Sequence, residues 1–210
     1  MQQFRSAAAL NEALDHLARQ DADLARAMTL AGRPRLRAAK RGFRGLVTTL
    51  ISQQVSVAAA RAIEGRLEAA LDDVTPRAIL DLDPPAAKAC GLSGQKYRYL
   101  QELAAAIESG SLRLNRLSRA PDDEVCDALT AIKGIGPWTA NIYLMFSLRR
   151  CDSFAAGDLA LQEGYRRLRS LDQRPTSVDL ERYSEAWRPY RAAAALILWR
   201  YYSHGFSPMG

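Results

Sequence analysis

The chain has 210 residues, of which 48% are hydrophobic and 25% charged, and a net charge of +6. That is ample apolar material for a core, and the basic surplus creates a field that attracts polyanions, nucleic acid foremost. Composition argues against a membrane span, because the longest unbroken apolar run, Ala192–Trp199, falls far short of the ~20 residues required. It also argues against a disulfide framework or a metal centre, because Cys90, Cys126 and Cys151 lie far apart without a CxxC pair. No basic-then-apolar leader opens MQQFRSAAALNEALDHLARQ, so a soluble, unexported chain is expected.

Apolar residues recur at spacings of three and four with no sustained alternation, which predicts an all-α fold of about ten helices. The segment Gln2–Leu30 reads as helix of mixed charge. It is followed by GRPRLRAAKRGFR, where Arg33, Arg35, Arg37, Lys40, Arg41 and Arg44 occur without an acidic residue, as either a solvated connector or a phosphate-tracking edge. A lobe boundary is expected there. SQQ then ends one helix and Ser56 caps VAAARAIEGRLEAAL; Thr75-Pro76 and Asp83-Pro84 open two short helices. Ser93 opens a helix closed by Gly110, with Tyr97, Leu100, Ala104 and Ile107 on one face. Asp122–Ile132 is amphipathic, whereas Trp138–Leu148 is apolar almost all round and must be buried. Thr176 and Asp179 have capping-box spacing, and Pro189 is placed to open the last helix, RAAAALILWRYYSH. No Pro/Gly/Ser-rich linker interrupts the chain, so residues 1–210 are expected to form one domain of two helical lobes.

The sharp break is KGIGP, Lys133–Pro137, between two helical runs. Pro137 suits the first helical position, and the glycines permit positive φ and close backbone approach. Such a turn presents backbone amides at a helix N-terminus, which favours an anion; Lys133, Gly134, Ile135 and Gly136 are the candidate phosphate contacts. A turn that serves only packing is the alternative. Asp158, just before LALQEGYRRLRS, reads locally as a helix N-cap.

KGIGPWTANIYL and FAAGDLALQEG together resemble the hairpin and aspartate segments of the helix-hairpin-helix DNA glycosylases. LISQQVSVAAARAIEGRL and ACGLSGQKYRYLQELAAAIESG are similar to segments of the alkylpurine, 3-methyladenine glycosylase II type, in its short form without an N-terminal β-rich domain. The resemblance spans Phe43–His204, with the hairpin at about 122–148. It implies a two-lobed fold with the active-site cleft between lobes, and a monofunctional enzyme that flips N-alkylated purines out of double-stranded DNA and excises them by hydrolysis. Asp158 is then catalytic, and Trp138, Trp199 and, at a spacing of five from Trp138, Tyr143 line the base pocket. Gln54, with Gln53 beside it, fills the gap left in the duplex. Lyase members carry lysine where Trp138 stands, which excludes Schiff-base chemistry, and no iron-sulfur cysteines follow Cys151. No cofactor or metal is required, although hairpin carbonyls could hold a monovalent cation. A cytoplasmic monomer, nucleoid-associated in a bacterium, is expected. The competing readings are a glycosylase for other damaged or mismatched bases and a non-catalytic DNA-binding module.

Overall fold

The structure, a computed structural model, describes residues 2–36 and 39–205. These residues are helical without a strand, and an isolated antiparallel bridge joins Gln3 to Arg150. The chain divides into two compact units, Met1–Ala38 with Leu144–Gly210, and Ala39–Tyr143.

The first unit opens with α1 (Ala7–Gln20) and α2 (Ala22–Ala31). Ser6 accepts from Ala9 N at the start of α1, and Asp21 accepts from Asp23 N and Leu24 N at the start of α2. Each side-chain oxygen satisfies amides that a helix N-terminus leaves without intrahelical partners.

The second unit contains α3 (Gly42–Ser52), α4 (Val57–Ala70), α5 (Pro76–Asp81), α6 (Pro84–Ala89), α7 (Gly94–Glu108), α8 (Leu114–Leu117), α9 (Asp122–Thr130) and α10 (Pro137–Ile142). Ser56, Thr75, Asp83 and Ser93 cap their helices as predicted, each accepting from the amide three residues on. Leu46 and Leu50 of α3, Leu67 of α4, Ile79 of α5 and Leu100 and Leu103 of α7 are fully buried. These residues fall on the apolar faces of helices that pack in pairs, α3 on α4 and α7, and α5 on α7.

α10 runs into a π-helical turn, Tyr143–Ser147, within which the chain returns to the first unit. There follow α11 (Leu159–Leu168), α12 (Ser177–Ser184), a 3-10 turn at Glu185–Trp187 and α13 (Arg191–His204). α13 is the axis of this unit: Ala192–Ala195, Ile197 and Leu198 are buried, with α1, α2 and α11 packed around them. Gly164 brings α11 close, because a Cβ there would stand 2.9 Å from the Leu198 carbonyl oxygen.

The count of thirteen α-helices among the described residues exceeds the ten expected. The run read as one helix from Trp138 to Leu148 is instead α10 plus the π-helical turn. Pro189 does not open the last helix; Tyr190 N–H bonds back to Trp187 O at 2.8 Å, closing the preceding turn, and α13 starts at Arg191.

Candidate active site

In the second unit, the hairpin turn is built on one glycine. Gly134 has φ +94°, and a Cβ there would lie 2.1 Å from Tyr99 Cγ, so the backbone packs directly against the Tyr99 ring of α7. A left-handed φ and a ring beneath leave room for glycine alone. Ile135 is 4% exposed and donates its N–H to Ile132 O at 3.0 Å. Gly136 is the extended N-cap of α10 and Pro137 its first residue. Among the described residues, the Gly134 and Gly136 N–H groups have no protein acceptor, and Lys133 is exposed beside them. This corrects the expectation for Ile135, whose amide is spent on closing the turn and whose side chain anchors it.

The end of α3 meets the same turn. Gln53 donates through Nε2 to Gly134 O at 3.1 Å and to the buried Thr139 Oγ1 at 2.9 Å. Lys96 of α7 donates through Nζ to Ile51 O at 2.6 Å, and burial holds its ammonium below the ordinary lysine range. Gln54 follows at φ +55°, exposed. Gln53 is thus a tie to the hairpin and not a wedge, because its amide is committed inward; Gln54 alone of the pair presents its side chain outward. Trp138, the second residue of α10, is half-buried. Tyr143 is 1% exposed, and burial pushes its hydroxyl up to about 12. It belongs to the core, which corrects its assignment to a base pocket: no face of the ring is open to a ligand.

In the first unit, Asp158 is the N-cap of α11. Its Oδ1 accepts from Ala160 N at 2.9 Å, Leu161 N at 3.0 Å and Trp199 Nε1 of α13 at 3.0 Å. The approach is rigid from behind as well: Phe154, Ala155 and Ala156 are buried, Asp158 N–H bonds to Ala155 O, and Gln162 Nε2 reaches back to Ala156 O at 2.9 Å. Two helix-terminal amides and an indole N–H thus converge on one carboxylate oxygen and fix its position. The half-buried Phe146 stacks on Trp199, ring centroids 5.7 Å apart and planes 29° apart. A fixed anion beside half-exposed aromatic rings can stabilise a cation that forms next to a flat, electron-poor ligand.

Three of the six residues of the basic stretch are paired with carboxylates. Lys40 pairs with Glu64 at 2.8 Å and with Glu68, Arg44 with Glu68 at 2.7 Å, and Arg33 with Asp15 at 2.8 Å. The connector reading holds for these residues; Arg37 lies outside the described residues. A cleft of about 910 Å³ in the first unit, lined by Arg33, Arg35 and Arg200, contains none of the predicted site residues.

Residues 47–189 match the HhH-GPD superfamily of base excision DNA repair proteins. The chain belongs to this family. It is 36% identical over 198 residues to DNA-3-methyladenine glycosylase 1 of Schizosaccharomyces pombe, covering 91% of this chain and 87% of that protein. The solved structure of the Schizosaccharomyces pombe 3-methyladenine DNA glycosylase in complex with abasic DNA superposes with a TM-score of 0.83 at 34% identity, over 90% of this chain and 95% of that one. A DNA-3-methyladenine glycosidase from Bacillus halodurans superposes with a TM-score of 0.76 at 33% identity, over 98% and 92% of the two chains.

For an HhH-GPD protein, the structure joins two sets of sequence-predicted residues: Gln53 with Gly134, and Asp158 with Trp199. Two further residues escaped the sequence reading. Phe146 sits in an apolar run that looks like core throughout, and Tyr99 touches Gly134 only through the tertiary fold.

Proposed function

We propose that this chain is a monofunctional DNA glycosylase that flips an N-alkylated purine, of the 3-methyladenine type, out of duplex DNA and hydrolyses its N-glycosidic bond, the opening step of base-excision repair. The observation that carries the reading is Asp158, a carboxylate held by two amides of α11 and the Trp199 indole in a family of base-excision proteins. The relatives named as 3-methyladenine glycosylases support the choice of damaged base.

The chemistry follows from where charge moves. The bond between the sugar C1′ and the purine nitrogen breaks, and its electron pair leaves with the base. An N-alkylated purine carries a formal positive charge and departs neutral, so no general acid is needed, in keeping with His16 and His204 lying outside the motifs. The sugar becomes cationic, and the Asp158 charge attracts it more strongly than it attracts the neutral ground-state sugar. Water then adds at C1′ and loses a proton, for which a carboxylate is a suitable acceptor. Trp138 supplies no amine, so the product is an intact abasic site.

Flipping costs a few kcal/mol of unstacking. Trp138 and Trp199 each offer an indole face on which a cationic purine gains about one to two kcal/mol, while Gln54 fills the space it vacates. The Gly134 and Gly136 amides and Lys133 grip phosphate, giving sequence-independent, salt-dependent binding. A monovalent cation at the hairpin would be held by backbone carbonyls such as Ile132 O and Gly134 O and would add positive charge toward phosphate. Each of these carbonyls accepts one hydrogen bond, from Ile135 N and Gln53 Nε2, which leaves a lone pair on each. No step needs a cofactor, and the protein acts as a monomer in the cytoplasm. The test is to incubate it with methylated DNA and chromatograph the released bases: free 3-methyladenine with unbroken strands is expected, and strand scission or a borohydride-trapped adduct overturns the hydrolytic reading.

A further inference from the structure

Gln54 occupies a conformation that its side chain disfavours. At φ +55° it lies in the left-handed region, which an L-residue disfavours relative to the right-handed one. Such a residue persists where its surroundings over-determine it, and these cases gather at functional positions. The constraints here are specific. Gln53, immediately before it, is tied by one amide group to both the hairpin turn at Gly134 O and the first turn of α10 at Thr139 Oγ1. One turn earlier, Lys96 holds the Ile51 carbonyl at the end of α3, where a cation is electrostatically favoured. Tyr99, one helical turn after Lys96 on α7, carries Gly134 on its ring. On the far side, Ser56 begins α4 by accepting from Ala59 N at 3.2 Å, so only Val55 separates the strained residue from the next helix. Val55 and Val57 are exposed at 38% and 69%, which puts apolar side chains in solvent on either side of this cap.

The arrangement is one rigid block in which the phosphate-gripping turn and the exposed Gln54 share a hydrogen-bonded joint. We propose that Gln53 is a positioning residue: it registers Gln54 to the hairpin, so that gripping the backbone and filling the gap behind a flipped nucleotide occur as a single docking event. The proposal rests on the reading of Gln54 as the residue that occupies that gap. A joint of this kind matters most for the flipped state. Binding to undamaged duplex needs only the hairpin, whereas holding the base extrahelical needs Gln54 held out at a fixed height above it.

The experiment is a double-mutant cycle on the intact protein, using single-turnover release of 3-methyladenine from a defined duplex, with affinity for undamaged duplex and thermal stability measured in parallel. Gln54→Ala is expected to slow release by about tenfold or more, because the extrahelical state loses the group that fills its gap. Gln53→Ala is expected to slow release to a similar degree at saturating enzyme, where any weaker grip on the duplex does not limit the rate. In the Gln54→Ala background the same change should cost less than about twofold, since residues acting through one another are not additive. Thr139→Val, which removes one of the two acceptors and keeps the shape, provides a milder variant and should give an intermediate, likewise non-additive, effect. Equal losses from Gln53→Ala in both backgrounds overturn the joint and leave the gap-filling reading intact. Near-normal release by Gln54→Ala removes the gap-filling reading and the joint together.

Discussion

Replacing Asp158 with asparagine separates charge from shape at the proposed catalytic centre. The Oδ1 atom accepts hydrogen bonds from Ala160 N, Leu161 N and Trp199 Nε1, and asparagine keeps an Oδ1 that accepts them in the same places. What disappears is a negative charge. The folding cost is then the loss of charge–dipole attraction at the start of α11, about 0.3–1 kcal/mol, because asparagine caps as well as aspartate. For a protein of this size that is a fall in Tm of a few degrees. The kinetic cost is far larger. A carboxylate about 4 Å from a developing sugar cation contributes about 4 kcal/mol at an effective dielectric near 20, which is a rate factor of about a thousand. The assay is single-turnover release of 3-methyladenine and 7-methylguanine from methylated DNA, with a thermal melt and abasic-DNA affinity on the same preparation. Asp158→Asn should lose activity by about a hundredfold to a thousandfold while remaining folded and DNA-binding. Release within tenfold of the parent by a folded variant would falsify the catalytic assignment and reduce Asp158 to a helix cap.

Gly134→Ala should destabilise the protein by more than about 1–2 kcal/mol, the cost of the left-handed backbone before the Tyr99 clash is added, whereas Gly136→Ala, with nothing within 4 Å of its Cβ, should fold normally. If Gly136 marks where a phosphate approaches, that stable variant still binds duplex more weakly in a salt titration; unchanged affinity would remove Gly136 from the grip. Trp199→Phe deletes the indole donor to Asp158 but keeps a ring against Phe146, and should slow release by about tenfold or more, as expected for losing a hydrogen bond to a charged group; an unaltered rate would make that bond incidental. Tyr143, raised from the usual value near 10 to about 12, contributes stability that is fully present below pH 10 and is lost as pH rises through 12. Tyr143→Phe should therefore flatten the alkaline limb of a stability-against-pH series, by at most about 3 kcal/mol, and leave neutral-pH excision near normal; a large loss of excision would return Tyr143 to the base pocket.

What could be read from the chain was what is encoded locally. Ser56, Thr75, Asp83 and Ser93 announce helices because a cap and the amide it satisfies are three residues apart. Gly134 and Pro137 likewise mark the hairpin by their own backbone preferences. The direction of Gln53 is not legible in SQQVS, because its acceptor, Gly134 O, lies 81 residues away and no local periodicity encodes it. Tyr143 and Phe146 were hard to sort for a different reason. A helix apolar all round gives no phase, and the π-helical turn inserts an extra residue that rotates everything after Tyr143 relative to an α-helical wheel. Tyr143 faces the core, and Phe146, past the extra residue, meets Trp199.

Because α1 and α2 pack with α11 and α13 in a unit that the chain leaves at Ala38 and re-enters at Leu144, this protein is written in an order different from the one in which it is assembled. On a ribosome, the contiguous stretch Ala39–Tyr143 can form its internal contacts as soon as it emerges, whereas the first two helices wait through its whole synthesis for the helix that completes their core. The Asp158 cradle is completed by that same helix, since α13 carries its indole donor, Trp199. A nascent chain stopped between α10 and α13 would therefore carry a finished hairpin and no finished carboxylate site: the proposed DNA grip is translated before the proposed catalytic centre is complete.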